Sequence, residues 1–210
     1  MKTEKRRWLE ITAVALTGLL KYVFCDWLEL RIFYITTACL FWVIYIYKRH
    51  QANRLILQHW GFRKKYFRQT FFFLMPFALA IVAGVIWYGI SVKAVFLNWH
   101  VIPVLAFYPV WGIVQQFLMV ALVAENLHSI TMVRLSRPQI IVITSLLFSL
   151  VHYPSLLLMI FTFFMELLFI TAYFRWKNLW ALGLYHGWVA SLLLFFAMDR
   201  DLWSELWTAF

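Results

Sequence analysis

Charge is what this chain lacks most. Of its 210 residues only 13% are charged and nine are acidic, against 64% that are hydrophobic. A soluble domain covers its surface with about a quarter charged residues, so this balance excludes a water-soluble fold and implies a polytopic membrane protein. Cysteine is scarce too. Cys25 and Cys39 are too few for a disulfide framework and read as buried thiols. There is no internal repeat, Gly/Ser linker or low-complexity stretch, which points to a single domain, 1–210. The apolar runs are long and unbroken rather than short and alternating. That excludes an outer-membrane barrel and leaves an all-α transmembrane helix bundle. The N-terminal run lacks a small-residue cleavage site and reads as a retained span rather than a signal peptide.

What is present is a series of runs near the roughly 20 residues that a spanning helix needs. Seven are expected, at about 8–25, 30–47, 69–91, 101–123, 138–153, 156–174 and 178–197. The first is weakened by Glu10 and Lys21, and the fifth and sixth are parted only by the turn signal His152-Tyr153-Pro154-Ser155. With the N-terminus inside, fifteen of the 19 Lys and Arg fall in inner loops, and Arg31, Lys93 and Arg200 fall outside. That bias sets the expected topology, with the C-terminus outside. The 12 Trp and 10 Tyr suit anchoring at the headgroup level.

The net charge of +10 is concentrated at segment ends, chiefly in KTEKRR and in 48–68. No stacked-aromatic or groove-reading module accompanies it, so nucleic acid is not an expected partner. In 48–68, Leu55, Ile56, Leu57, Trp60, Phe62, Tyr66 and Phe67 interleave with the cations. The pattern suits a helix lying in the inner headgroup layer, in contact with anionic lipid. A basic docking site for a partner or substrate tail is the alternative.

Strongly polar groups within a bilayer are costly and usually mark function. His152 lies in TSLLFSLVHYPSLLLMIF, His186 in NLWALGLYHGWVASLLLFF, and Gln115-Gln116 interrupt WGIVQQFLMVALV. By helical spacing, Phe148 shares a face with His152, and Ala190 with His186. Glu166, in FTFFMELLFITAYF, is the acidic residue well inside a late span.

The order of these motifs resembles the CAAX protease and bacteriocin-processing (CPBP, or Abi) family of intramembrane glutamic-type endopeptidases. That family has a Glu-Glu pair followed by Arg, then Phe-x-x-x-His, then His-x-x-x-Asn. TSLLFSLVH matches the second motif and NLWALGLYHGW the approach to the third, within a core of about 100–195. Gln115-Gln116 stand where the Glu pair belongs, Val120 where the Arg belongs and Ala190 where the Asn belongs, with Ser191 beside it. An alternative alignment uses Ala124-Glu125, with Ser129 for the Arg.

The resemblance implies a Glu general base acting on water, with histidines that position it and stabilise the oxyanion. An amide has no useful basicity, and general-base help is worth about 10² to 10⁴ in rate. Gln115 and Gln116 could still orient a water. Glu166 is the obvious substitute base. It could instead be a protonated or paired structural residue, or a zinc ligand with His152 and His186, although the usual HExxH spacing is absent. No cofactor is otherwise expected.

The expected function is therefore a CPBP-type protease-like protein that acts on or binds a membrane-associated peptide, lipidated or not, in a prokaryotic inner membrane. An inactive relative serving as scaffold, partner-binding or immunity subunit is the alternative. A transporter fits least, for want of broken helices or a repeat.

Overall fold

The computed structural model describes residues 2–93 and 98–208, and its secondary structure is helical throughout. The elements are α1 (Lys2–Lys21), α2 (Arg31–Ala52), α3 (Ile56–His59), α4 (Phe67–Tyr88), α5 (Val101–Gln116), α6 (Glu125–Ser129), α7 (Arg137–Leu150), α8 (Leu156–Trp176), α9 (Leu179–Leu192) and α10 (Leu202–Thr208). Four π-helical stretches adjoin them: Tyr22–Trp27, Gly89–Lys93, Phe117–Ala124 and Leu193–Ala197. The loop residues 94–97, next to the expected outer cation Lys93, lie outside the described residues.

Each of the seven expected segments falls largely on helix, as it must where no water can satisfy a bare backbone, although the helix of 138–153 stops at Leu150. Five helices are long and apolar enough to cross a membrane: Thr3–Trp27, Phe67–Val92, Val101–Ser129, Leu156–Trp176 and Leu179–Ala197. α2 has the length, 22 residues, but Arg31, Lys48 and its tyrosines dilute the apolar run. α7 is apolar but has only 14 residues, about 21 Å of helix at 1.5 Å per residue against a hydrocarbon core of about 30 Å. Ser136 and Gln139 form a capping box at its start, with Pro138 in the first turn.

The chain forms two compact units, each built from two stretches of sequence. The first comprises Met1–Gly61 with Phe117–Arg175, and the second Phe62–Gln116 with Trp176–Phe210.

In the first unit a carboxylate organises the packing. Glu10, 5% exposed, accepts a hydrogen bond from the Tyr45 hydroxyl of α2. Asn126 Nδ2 of α6 donates to its second oxygen at 2.6 Å, and the Arg6 and Arg49 guanidiniums lie at 3.8 and 3.7 Å. Lys21 is paired with Asp26 at 2.9 Å. The two charges that weaken the first apolar run are thus both partnered. Arg7 adds a hydrogen bond to the Ser129 carbonyl at 2.7 Å, tying α1 to the end of α6.

The expected interfacial helix over 48–68 does not form as one element. α2 runs on to Ala52, an extended Asn53 ends it, and only Ile56–His59 is helical before Gly61 turns the chain at φ 100°. Ile56 and Trp60 are buried in the protein, where Trp60 packs on Phe117 at 5.0 Å and its carbonyl accepts from the Tyr173 hydroxyl at 3.0 Å. Tertiary partners outcompete the lipid surface for these apolar side chains.

In the second unit α5 and α9 touch backbone to backbone. A Cβ on Gly112 would stand 2.4 Å from the Gly183 carbonyl oxygen, and one on Gly187 would stand 2.4 Å from Pro109 Cα. Small residues at such a crossing are the usual means by which membrane helices approach closely. The Trp188 indole donates to the Leu105 carbonyl at 3.1 Å along the same seam. Asn178, fully buried, caps α9 by accepting from the Ala181 amide at 3.1 Å. Its Nδ2 donates to the carbonyls of Arg63 and Lys65 at 2.7 and 3.1 Å, which clamps the basic loop.

Candidate functional site

The close contact of α5 and α9 places two polar residues together. Gln116 lies one turn after Gly112, and His186 is next to Gly187 and one turn after Gly183. With no side chains holding the helices apart, Gln116 Nε2 reaches His186 Nδ1 at 3.0 Å. Gln116 is fully buried and His186 is 2% exposed, so this hydrogen bond is made away from bulk solvent. The amide nitrogen can only donate, so Nδ1 is the acceptor in this contact. Of the glutamine pair it is Gln116 that makes this contact. Gln115 is half-buried.

α5 gives way to the π-helical Phe117–Ala124 immediately after Gln116. Single π-turns inside α-helices recur at functional sites. Here the stretch carries the buried Val120, which aligns with the Arg of the resembled motif.

On α9, Ala190 follows His186 by one turn and contributes only a methyl group. Ser191 is 1% exposed, and its hydroxyl donates back to the Trp188 carbonyl at 3.0 Å. Neither residue replaces the amide expected of an Asn.

The remaining predicted residues belong to the first unit. His152 sits in the turn after α7, where Nδ1 lies 2.9 Å from the Phe148 carbonyl oxygen. That bond requires the proton on Nδ1 and leaves the Nε2 lone pair as an acceptor. The His152 ring meets the Phe148 ring edge to face, with centroids 4.9 Å apart. Thr162 of α8 brings its hydroxyl to 3.5 Å from Nδ1. One turn further along α8 is Glu166, fully buried.

Among the described residues, no three His, Cys, Asp or Glu side chains gather in a group fit to hold a metal ion. Glu125 and Ser129, the alternative alignment's pair, lie on α6. That helix is committed to α1 through Asn126–Glu10 and Ser129–Arg7.

Sequence reasoning missed Thr162 and the three glycines that set the helix separation. The spacing Gly183-x-x-x-Gly187 was the available signal, although nothing in it named Gly112 as its partner.

Residues 96–192 match the family model described as type II CAAX prenyl endopeptidase Rce1-like. No curated protein and no solved structure matches the chain. Over residues 96–192 the chain is thus similar to the CPBP family of CAAX protease-like proteins, and its long apolar helices make it an integral membrane protein.

Proposed function

From that similarity we propose that the protein binds a membrane-associated peptide, lipidated or otherwise apolar, in a protease-like site whose hydrolytic step is weakened by Gln115-Gln116. The observation that supports this reading is the buried Gln116–His186 hydrogen bond, taken with the alignment of Gln115-Gln116 to the family's Glu pair. The amide fixes the His186 ring, and an imidazole held in this way is a group suited to steadying a developing oxyanion. His152 offers an Nε2 lone pair, an acceptor suited to a proton from water. Glu166 is the reserve carboxylate in this scheme, Phe148 fixes the His152 ring and tautomer, and no cofactor takes part. Ala190 and Ser191 support the helix beside His186 without touching substrate.

The second reading is an inactive scaffold, partner-binding or immunity subunit. It is favoured by the same amide, because an amide accepts no proton at working pH.

Cleavage of a lipidated peptide by the purified full-length protein separates the two. The weak-protease reading expects slow cleavage that is lost in His152→Ala and His186→Ala. Gln116→Glu is expected to raise the rate by about 10² to 10⁴, since it restores a carboxylate against His186. No cleavage by the parent chain or by Gln116→Glu, with peptide binding intact, establishes the scaffold instead. Glu166→Gln tests the substitute base, and metal analysis of the pure protein tests the zinc alternative.

We further propose seven crossings with the N-terminus inside a prokaryotic inner membrane, supported by the Lys and Arg bias. Both units are discontinuous in sequence, which supports treating 1–210 as one membrane-embedded domain with a core of about 100–195. The cations of 48–68 then face anionic headgroups.

A further inference from the structure

The second unit carries an open groove of about 630 Å³ between the start of α4 and the facing sides of α5 and α9. Ligand pockets commonly fall between about 300 and 1,000 Å³. Its walls are apolar, with Phe67, Ala106, Val110, Ile113 and Leu184 prominent, and the two charged groups that line it are Lys64 and Arg68.

The four cations of 63–68 divide sharply. Arg63 donates to the carbonyls of Lys177 and Trp176, both at 2.9 Å, and lies over the Tyr66 ring. Lys65 also lies over Tyr66, 4.8 Å from its centroid. Lys64 and Arg68 are exposed and form no ion pair among the described residues. The acidic residues of this unit, Asp199, Asp201 and Glu205, all follow the far end of α9. That is about 30 Å of helix away at 1.5 Å per residue.

The loop bearing Lys64 is also fixed in place. Asn178 holds the carbonyls on either side of it, and Tyr66 adopts a left-handed φ of 63° before α4 begins. A pair of unneutralised cations held rigidly at the mouth of an apolar groove is complementary to a molecule with an anionic head and a hydrocarbon tail. In a membrane protein the abundant molecule of that kind is an anionic phospholipid.

We propose that this groove is a binding site for a single anionic phospholipid, with one acyl chain against Phe67, Ala106 and Val110 and the phosphate between Lys64 and Arg68. The site is independent of whether the protein cleaves peptides.

The test is native mass spectrometry and lipid-dependent melting of the detergent-purified full-length protein. Phosphatidylglycerol and phosphatidylcholine of identical chains are the probes. The expected result is about a 30-fold preference for phosphatidylglycerol, from two cations acting near the surface. Lys64→Gln with Arg68→Gln is expected to abolish the preference without changing the lipid-free melting temperature. Val110→Trp, at an exposed wall position, is expected to weaken binding of both lipids while keeping the cations. Equal binding of the two lipids by the parent chain overturns the proposal. So does an equal loss of preference in the control Lys48→Gln with Arg54→Gln, which shows a diffuse basic surface. Full competition by inorganic phosphate overturns the acyl-chain part, because a free anion would then satisfy the site.

Discussion

The two units solve the same problem in opposite ways. Helices in lipid gain little from burying apolar side chains against one another, so association has to come from packing or polar contacts. The first unit uses a polar node, with Glu10 joining α1, α2 and α6 through Tyr45, Asn126 and two arginines. The second uses the absence of side chains, with Gly112, Gly183 and Gly187 allowing backbone contact between α5 and α9. Long side chains can adjust at a polar node. Backbone atoms at a glycine seam have nowhere to move. It is the rigid unit that holds the buried Gln116–His186 pair, which is where a 1 Å displacement costs most.

The largest predicted effect breaks the seam. Gly112→Ala is expected to destabilise by about 3 kcal/mol or to prevent folding, because the new methyl group meets the Gly183 carbonyl and the Gly187 amide. Thermal unfolding in detergent measures it. Gly84→Ala in α4 is the internal control. A Cβ there meets nothing within 4 Å, so the expectation is unchanged stability or a gain of up to about 1 kcal/mol from helix propensity. Equal losses at the two glycines would mean that backbone contact is not what holds α5 to α9.

The first unit should yield more gradually. Glu10→Ala strands the Tyr45 hydroxyl and the Asn126 amide in a buried site, an expected loss of about 1–3 kcal/mol. Glu10→Gln keeps an acceptor for Tyr45 and should lose clearly less. If both variants lose equally, the charge attracted by Arg6 and Arg49 matters more than the hydrogen bonds.

Asn178→Ala is expected to lose about 1–2 kcal/mol through the α9 cap alone. It sharpens the comparison, because Asn178 is a polar clasp inside the unit otherwise built on glycine. The clasp also positions Lys64. The same variant should therefore weaken the preference for phosphatidylglycerol even at temperatures where the fold is intact.

Much of this was legible in the residues. Long apolar runs announced the helices, and the His152–Ser155 turn separated α7 from α8. The order of motifs led to Gln116 and His186, which the fold then joins. Other features were hidden because hydropathy reports affinity for lipid and not the identity of neighbours. Glu10 looked like a defect in a span and is the hub of a unit. Trp60 and Ile56 looked like interfacial anchors and are core. The segment 138–153 looked like a full span, but its helix stops at Leu150. Gly183 and Gly187 were visible at a suggestive spacing, yet only the fold identifies Gly112 and Pro109 as what they face.

The smallest predicted effect lies beyond the C-terminal end of α9, where the charged groups are partly exposed. His100 Nδ1 meets Asp201 Oδ2 at 2.5 Å, and Ser204 donates to the same carboxylate at 2.9 Å. Burial pushes the Asp201 carboxyl up, but the hydrogen bonds from His100 and Ser204 outweigh it and hold the group below its ordinary value. A carboxylate depressed in the folded state stabilises the fold above the unfolded value of about 3.9. That contribution is lost as pH falls through the lower folded value, so the acid window below about pH 4 is where the α10 contact should loosen. The site is solvent-accessible, so the effect should stay below about 1 kcal/mol and shrink with salt. Asp201→Asn should remove this part of the acid dependence. It should leave the glycine seam and the Gln116–His186 contact as they are, and a loss comparable to Gly112→Ala would show that the His100–Asp201 pair, rather than the seam, holds the second unit together.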